Sequence, residues 1–284
     1  MNGIIIIDKE KGFTSRDIVN KVSKKLKTKK VGHTGTLDPI ATGVLVVCVN
    51  KATKLVNRIT AEYKEYIASC TFGIATDTID TEGKVLKDIK SIINKKDIIN
   101  TLNSFKGKYS QQVPIYSAVK VNGKKLYEYA RSNMEINLPY REVEIKDIEL
   151  IDDPIYINDK TEIKFRCNVS KGTYIRSLIR DIAEKLNTCA IMTDLRRIKQ
   201  GKYSINDAIK IEEIDINNII PIKDVLDVYK VNISEDIKKK VLNGAKINNI
   251  YNKDEVLFMD NDKEVALYKV DGKCKNILKI DIMF

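Results

Sequence analysis

The run Gly32-His33-Thr34-Gly35-Thr36-Leu37-Asp38-Pro39, closing on Ala41-Thr42-Gly43, is the densest group of chemically capable residues in this 284-residue chain. Its glycines permit tight turns or the close approach of a ligand to the backbone. Pro39 biases Asp38 away from the helical region, which helps hold the carboxylate on an irregular loop. An Asp-Pro dipeptide is also an ordinary turn between a helix and a strand. What distinguishes this one is the twelve-residue string around it.

Other chemistries are excluded by what is missing. No G-x-x-x-x-G-K-[ST] loop occurs, and no G-x-G-x-x-G follows a strand, so a nucleotide cofactor is not expected. His33 is the only histidine, which rules out H-E-x-x-H and multi-histidine metal sites. The H-x-E and P-C-x-x-C pattern of zinc deaminases is absent, and no G-x-S-x-G elbow supports a serine triad. The five cysteines, Cys48, Cys70, Cys167, Cys189 and Cys274, are scattered and never form C-x-x-C, against both a disulfide framework and a zinc site. What remains is chemistry run by carboxylate, arginine and tyrosine.

The elements that must position these groups are legible in part. Gly3–Ile7 reads as a buried strand, and Thr14 or Ser15 as the cap of a helix running to about Leu26. Ile18, Val22 and Leu26 form its apolar stripe, with Lys21, Lys24 and Lys25 opposite. After the glycine-rich loop, the spacing predicts strands at Val44–Val49 and across Tyr66, Ala68, Cys70 and Phe72. Asp97–Phe105 has helical spacing, residues 106–140 show little periodicity, and Ile163, Phe165, Cys167 and Val169 alternate as a strand. Ile175, Leu178, Ile179, Ile182 and Leu186 line one face of a helix that begins at KGTYIR. Many antiparallel-looking strands with a few helices predict an α+β fold with a mixed, mainly antiparallel sheet. A helix near Ser234–Leu242 and strands near Glu255–Met259 and Val265–Val270 predict a small β-rich C-terminal domain, 229–284, after a main domain of 1–228.

Composition is globular, at 43% hydrophobic and 31% charged residues. No stretch approaches the roughly 18 apolar residues needed to cross a bilayer, and the four-isoleucine run near the N-terminus is too short for a signal-peptide core. A cytoplasmic protein with no membrane partner is expected. Net charge is +11, concentrated as +8 in residues 1–60 and +5 in residues 170–203. That is the footprint of a polyanion-binding face, though lysine-rich surfaces are common in soluble proteins.

The string GHTGTLDPIATGVL resembles the signature of the bacterial tRNA pseudouridine-55 synthase family, of the TruB type. Further similar segments follow in order: DKEKGFTS, KEYIASCTFGIATDTIDTEG, VPIYSAVKVNGKKLYEYAR, VSKGTYIRSLIRDI and LRRIKQGKY. Together they lie within residues 3–203. Glu10 departs from the pattern, standing where the family usually has proline.

The resemblance implies that Asp38 starts cleavage of the uridine N-glycosidic bond and that Arg176 pairs with it. It implies that Tyr66 stacks on the target base, that Tyr174 and Leu195 line the pocket, and that His33 contacts the T-loop and helps displace bases. Lys9 is a candidate pocket or phosphate contact. Isolated from the motif, Tyr66 and Leu195 would read as core residues and Arg176 as a surface residue. The implied substrate is the T-stem-loop of tRNA, flipped out of its stack, with the tyrosine- and lysine-rich 106–140 segment as a thumb-like insertion that closes over it. Lys21, Lys24, Lys25, Lys27, Lys29 and Lys30 would reach phosphates. The C-terminal part resembles a short version of the PUA-like RNA-binding domain. No metal or cofactor is implied, and a monomer is expected. Covalent ester and glycal intermediates both stay open, as do a guide-RNA or ribosomal-RNA enzyme and a tRNA-folding chaperone.

Overall fold

In a computed structural model, residues 1–132 and 134–284 are described. The main body is an eleven-stranded sheet. Its principal strands are β1 (Gly3–Lys9), β2 (Val31–His33), β3 (Thr42–Val49), β4 (Lys64–Phe72), β5 (Gly107–Gln112), β6 (Tyr140–Leu150), β7 (Lys160–Val169) and β8 (Ala190–Gln200). The order across the sheet is β1-β3-β8-β4-β7-β6-β5, with the short strand Ile220–Pro221 outside β1. Every principal pair is antiparallel except β8 with β3, which are parallel at Arg196–Thr42 and Arg197–Gly43. The expected mixed, mainly antiparallel architecture is what forms.

Alternation explains how the sheet buries both faces. Along β1, Ile5 and Ile7 join a core with Leu45, Val47, Ala68, Cys70 and Phe165. Three helices cover that face: α1 (Ser15–Lys25), α2 (Lys95–Asn103) and α3 (Ile175–Lys185), through Ile18, Val22, Ile98, Leu102, Leu178 and Ile182 among others. Ile4 and Ile6 point the other way, into a cluster with Val44, Val46, Leu257, Met259 and Leu267. The four-isoleucine run is continuous because each face of the strand has its own apolar partner.

The C-terminal sheet supplies that second partner. It comprises β9 (Tyr229–Asn232), β10 (Ile247–Asn248), β11 (Glu255–Asp260), β12 (Lys263–Asp271) and β13 (Cys274–Met283), with helix α4 (Glu235–Leu242). Arg58, on the short helix Val56–Thr60, forks onto both Glu255 carboxylate oxygens at 2.6 Å, tying the main body to the C-terminal sheet. No described helix is long and apolar enough to cross a membrane.

Three strands were not expected from the sequence. The 106–140 stretch opens with an edge strand, β5, whose periodicity is masked because only one of its residues, Gln111, is buried. The excursion that follows is closed at its base by Val113 N–H donating to Pro139 O at 3.0 Å. Strand β8, at the centre of the sheet, is not legible because its register against β4 shifts twice, after Met192 and after Arg197. Strand β13 is hidden by its polar residues.

Thr14 caps α1. Its hydroxyl accepts from Asp17 N–H at 3.1 Å while the Asp17 carboxylate accepts from Thr14 N–H at 2.9 Å. Thr14→Ala should therefore lower stability by about 1 kcal/mol, read as a fall in the urea midpoint with unchanged slope.

Candidate active site

Asp38 is presented by a loop fastened on both sides of it. Ser15, buried in the first turn of α1, donates to Leu37 O at 3.2 Å and accepts from Leu37 N–H at 2.8 Å. Gly12 N–H donates to Pro39 O at 2.9 Å, and Ala41 N–H closes a turn onto Asp38 O at 3.0 Å. Leu37 and Ile40 are sunk in the core. Hydrophobic anchors on either side thus leave Asp38 as the residue turned outward, its side chain 34% exposed.

The loop ends where backbone meets backbone. Gly43 has φ of +99°, and a Cβ there would lie 2.2 Å from Arg197 O. Only glycine allows β3 to enter its parallel pairing with β8 at this point.

Arg176 reaches Asp38 from the start of α3. Its Nε donates to Asp38 Oδ2 at 2.9 Å and its Nη2 to Oδ1 at 3.2 Å, a bidentate pair. Nη1 donates to Thr78 O at 2.9 Å, and Nη2 also to Tyr116 O at 3.0 Å. The guanidinium is therefore a junction of the Asp38 loop, the 77–84 turn and the 113–139 excursion. Arg176 is 5% exposed, so the surface reading that its isolated position suggests does not hold. The buried carboxylate of Asp80 lies 3.9 Å beyond.

Around this pair is a cavity of about 430 Å³, lined by Asp38, Tyr66, Tyr174, Arg176 and Leu195. That volume is in the range that holds a small organic ligand. Tyr66 and Leu195 arrive on neighbouring strands, with Leu195 opposite Ala68 and Arg197 opposite Tyr66. Tyr174 immediately precedes α3. Its N–H donates to Gln111 Oε1 at 2.8 Å and its carbonyl accepts from Gln111 Nε2 at 3.2 Å, so a side chain of β5 clamps it on both sides. Burial pushes the Tyr174 phenol up from its ordinary pKa, so it stays protonated at neutral pH.

Five of the seven residues expected at the site thus line one cavity, and two do not. His33 sits half-buried on β2, its Nδ1 accepting from Gly35 N–H at 3.3 Å. Burial, then Arg197 and Arg16, hold its pKa below the usual value, so it is a neutral imidazole at pH 7. Lys9, read from the sequence as a pocket or phosphate contact, is instead a brace. It is fully buried, and its ammonium donates to Glu10 O at 3.0 Å, Phe13 O at 2.7 Å and Pro39 O at 3.4 Å. The reason is the alternation of β1, which turns position 9 inward beneath the Asp38 loop.

Other residues of the site were not singled out from sequence. Arg197 is fully buried, donating to Val44 O at 2.6 Å, Gly35 O at 3.1 Å and Tyr66 Oη at 3.4 Å. Lys64 lies two residues before Tyr66 and also lines the cavity. The period of two on β4 put Lys64 and Tyr66 on one face, a signal available in the sequence. Ser15 was marked only as a possible helix cap, and nothing local marked Gln111.

Comparison with known proteins shows the family to which the chain belongs. Residues 23–175 match the family model "TruB family pseudouridylate synthase (N terminal domain)", and residues 176–231 match "tRNA pseudouridylate synthase B C-terminal domain". The chain is 44% identical to tRNA pseudouridine synthase B of Clostridium perfringens, over 96% of each chain. It is 42% identical to that of Lactobacillus acidophilus, again over 96% of each, and 40% identical to that of Bacillus subtilis, over 96% and 91%. Among solved structures, a chain of an H/ACA ribonucleoprotein bound to a substrate RNA containing 2'-deoxyuridine superposes with TM-score 0.70 at 25% identity. That match covers 99% of this chain and 84% of the other. A chain of a Cbf5-Nop10-Gar1 complex matches with TM-score 0.70 at 26% identity and the same coverage. This chain belongs to the TruB family of pseudouridine synthases.

Proposed function

We propose that the protein converts uridine 55 in the T-loop of tRNA to pseudouridine, acting alone in the cytoplasm as a monomer. The observation that carries this reading is the Asp38 carboxylate, turned out of its loop into a nucleoside-sized cavity and forked by a buried arginine. In the reaction the N1–C1′ bond breaks, the uracil turns, and a C5–C1′ bond forms as N1 gains a proton and C5 loses one. Asp38 attacks C1′ or stabilises the positive charge that develops there, as carboxylates do in glycoside chemistry. Arg176 keeps the carboxylate oriented. Tyr66 stacks on the base, and Tyr174 and Leu195 close the walls of its pocket. The change is an isomerisation without net redox, so neither a metal nor a nucleotide cofactor is needed.

The target base must leave the helical stack, which costs a few kcal/mol. A neutral His33 beside the cavity suits that step, since an uncharged ring can stack or accept a hydrogen bond in place of a displaced base. His33→Ala should weaken T-stem-loop binding or flipping about tenfold and spare turnover on an already unstacked uridine. Loss of turnover on the unstacked substrate would reassign His33 to acid–base chemistry. The exposed Lys24, Lys25, Lys27, Lys29 and Lys30 suit phosphate contacts, as does the C-terminal sheet read as a PUA-like domain.

The test is to incubate the purified chain with a bare T-stem-loop and map pseudouridine in the product. Formation at position 55 without any guide RNA is the expected result. A requirement for guide RNA, or modification elsewhere, would sink the assignment of the substrate.

A further inference from the structure

Two cations in the cavity wall are balanced by acid only in part, Lys64 by the nearby Glu62. Lys64 is 7% exposed and Arg197 fully buried, and both line the cavity. Lys64 donates to the carbonyls of Thr60 and Glu62, each at 3.0 Å. Arg197 donates to the three neutral oxygens named above. Among the described residues neither is ion-paired with a carboxylate, whereas Asp38, the acid of the same cavity, is already forked by Arg176. Burial, and then the neighbouring Arg197, pull the Lys64 ammonium down to about 8, with Glu62 opposing only in part.

Cations taken out of water without a counter-charge are unfavourable unless a ligand supplies one. The permanent anions of RNA are its phosphates, one to a nucleotide, while a uridine base enters the cavity neutral. We infer that Lys64 and Arg197, with Gly35 between them, form a subsite for a phosphodiester flanking the target uridine. A Cβ on Gly35 would sit 3.3 Å from Lys64 Cε and 3.5 Å from Arg197 Nη1, so the bare glycine leaves both side chains open to an approaching oxygen. Two of the three Lys64 ammonium hydrogens are engaged, leaving one for the phosphate. Lys64 makes the contact. Arg197 adds its charge from below and ties the subsite to Tyr66, so seating the phosphate and stacking the base are parts of one geometry. The inference rests on the RNA reading of the cavity.

The test uses the full chain and T-stem-loop RNAs in which each linkage within two nucleotides of the target uridine is replaced, in turn, by an uncharged methylphosphonate. One linkage should reduce wild-type affinity about tenfold. Lys64→Met should lose about tenfold on unmodified RNA, lower the salt dependence by about one unit of log–log slope, and lose nothing further at that linkage. Lys64→Arg should restore affinity. Because a phosphate binds only the ammonium form, wild-type affinity should be greatest below pH 8 and decline above it, while that of Lys64→Arg stays level. Melting curves of both variants check that they are folded, and the methylphosphonate effect on the wild type needs no variant at all. Equal, additive losses at every linkage, or unchanged affinity and salt slope in Lys64→Met, would overturn the subsite. Failure of the RNA reading looks different: the wild type would then form no pseudouridine in the T-loop.

Discussion

Asp38→Asn should abolish pseudouridine formation, lowering kcat by on the order of 10⁴-fold or more, while T-stem-loop affinity stays within a fewfold of wild type. The substitution keeps the shape of the side chain and removes its charge. An amide is a poor nucleophile and a poor partner for positive charge at C1′, so the loss falls on the chemical step. The loop itself should persist. Its anchors are the Ser15–Leu37 pair, the Lys9 and Gly12 bonds to Pro39, and the buried Leu37 and Ile40, none of which involve the Asp38 side chain. Release of the C5 hydrogen from uridine labelled there with tritium measures the reaction directly, and filter binding measures affinity. Turnover near that of the wild type would remove the central assignment.

Arg176→Lys should lose on the order of 10²–10³-fold in kcat, with less effect on RNA affinity. Charge is conserved, but the geometry is not. The guanidinium serves Asp38, Thr78 O and Tyr116 O from one plane, and an ammonium cannot reach all three sites. Because the position is 5% exposed, carbonyls left without a donor cannot turn to water, and stability should fall by about 1–3 kcal/mol. The variant should also loosen the 113–139 excursion, whose Tyr116 carbonyl is one of the three partners. Faster amide exchange in that segment, beside lost turnover, is the expected pairing. Turnover equal to wild type with the fork removed would show that Asp38 does not depend on this arginine.

Both predictions concern residues that local sequence weighs very differently. Asp38 was conspicuous, because a carboxylate before proline among glycines is an unusual string. Arg176 was not, since an arginine at the start of an amphipathic helix is ordinarily solvated. The role proposed for it came from resemblance, and the fold buries it against four oxygens of three residues. Lys9 went the other way. A lysine after a run of isoleucines looks like a free cation, yet the pleat of β1 turns it inward, where carbonyls consume its donors.

Periodicity determined much of the rest. The two-residue alternation of β4 and β7, the 3.6-residue stripes of α1 and α3, and the Thr14 cap are local properties, set by where apolar side chains must point. The α+β class and the β-rich C-terminal sheet followed from their order along the chain. Tertiary structure alone decided what depends on distant segments meeting. The irregular central strand β8 pairs with β3 and β4, bringing Arg197 and Leu195 beside Tyr66. Gln111 clamps Tyr174, and Ser15 fixes Leu37 from another element. Such contacts leave no period in the sequence, because each joins single residues far apart in the chain, and a hydrogen bond constrains only the two atoms that make it.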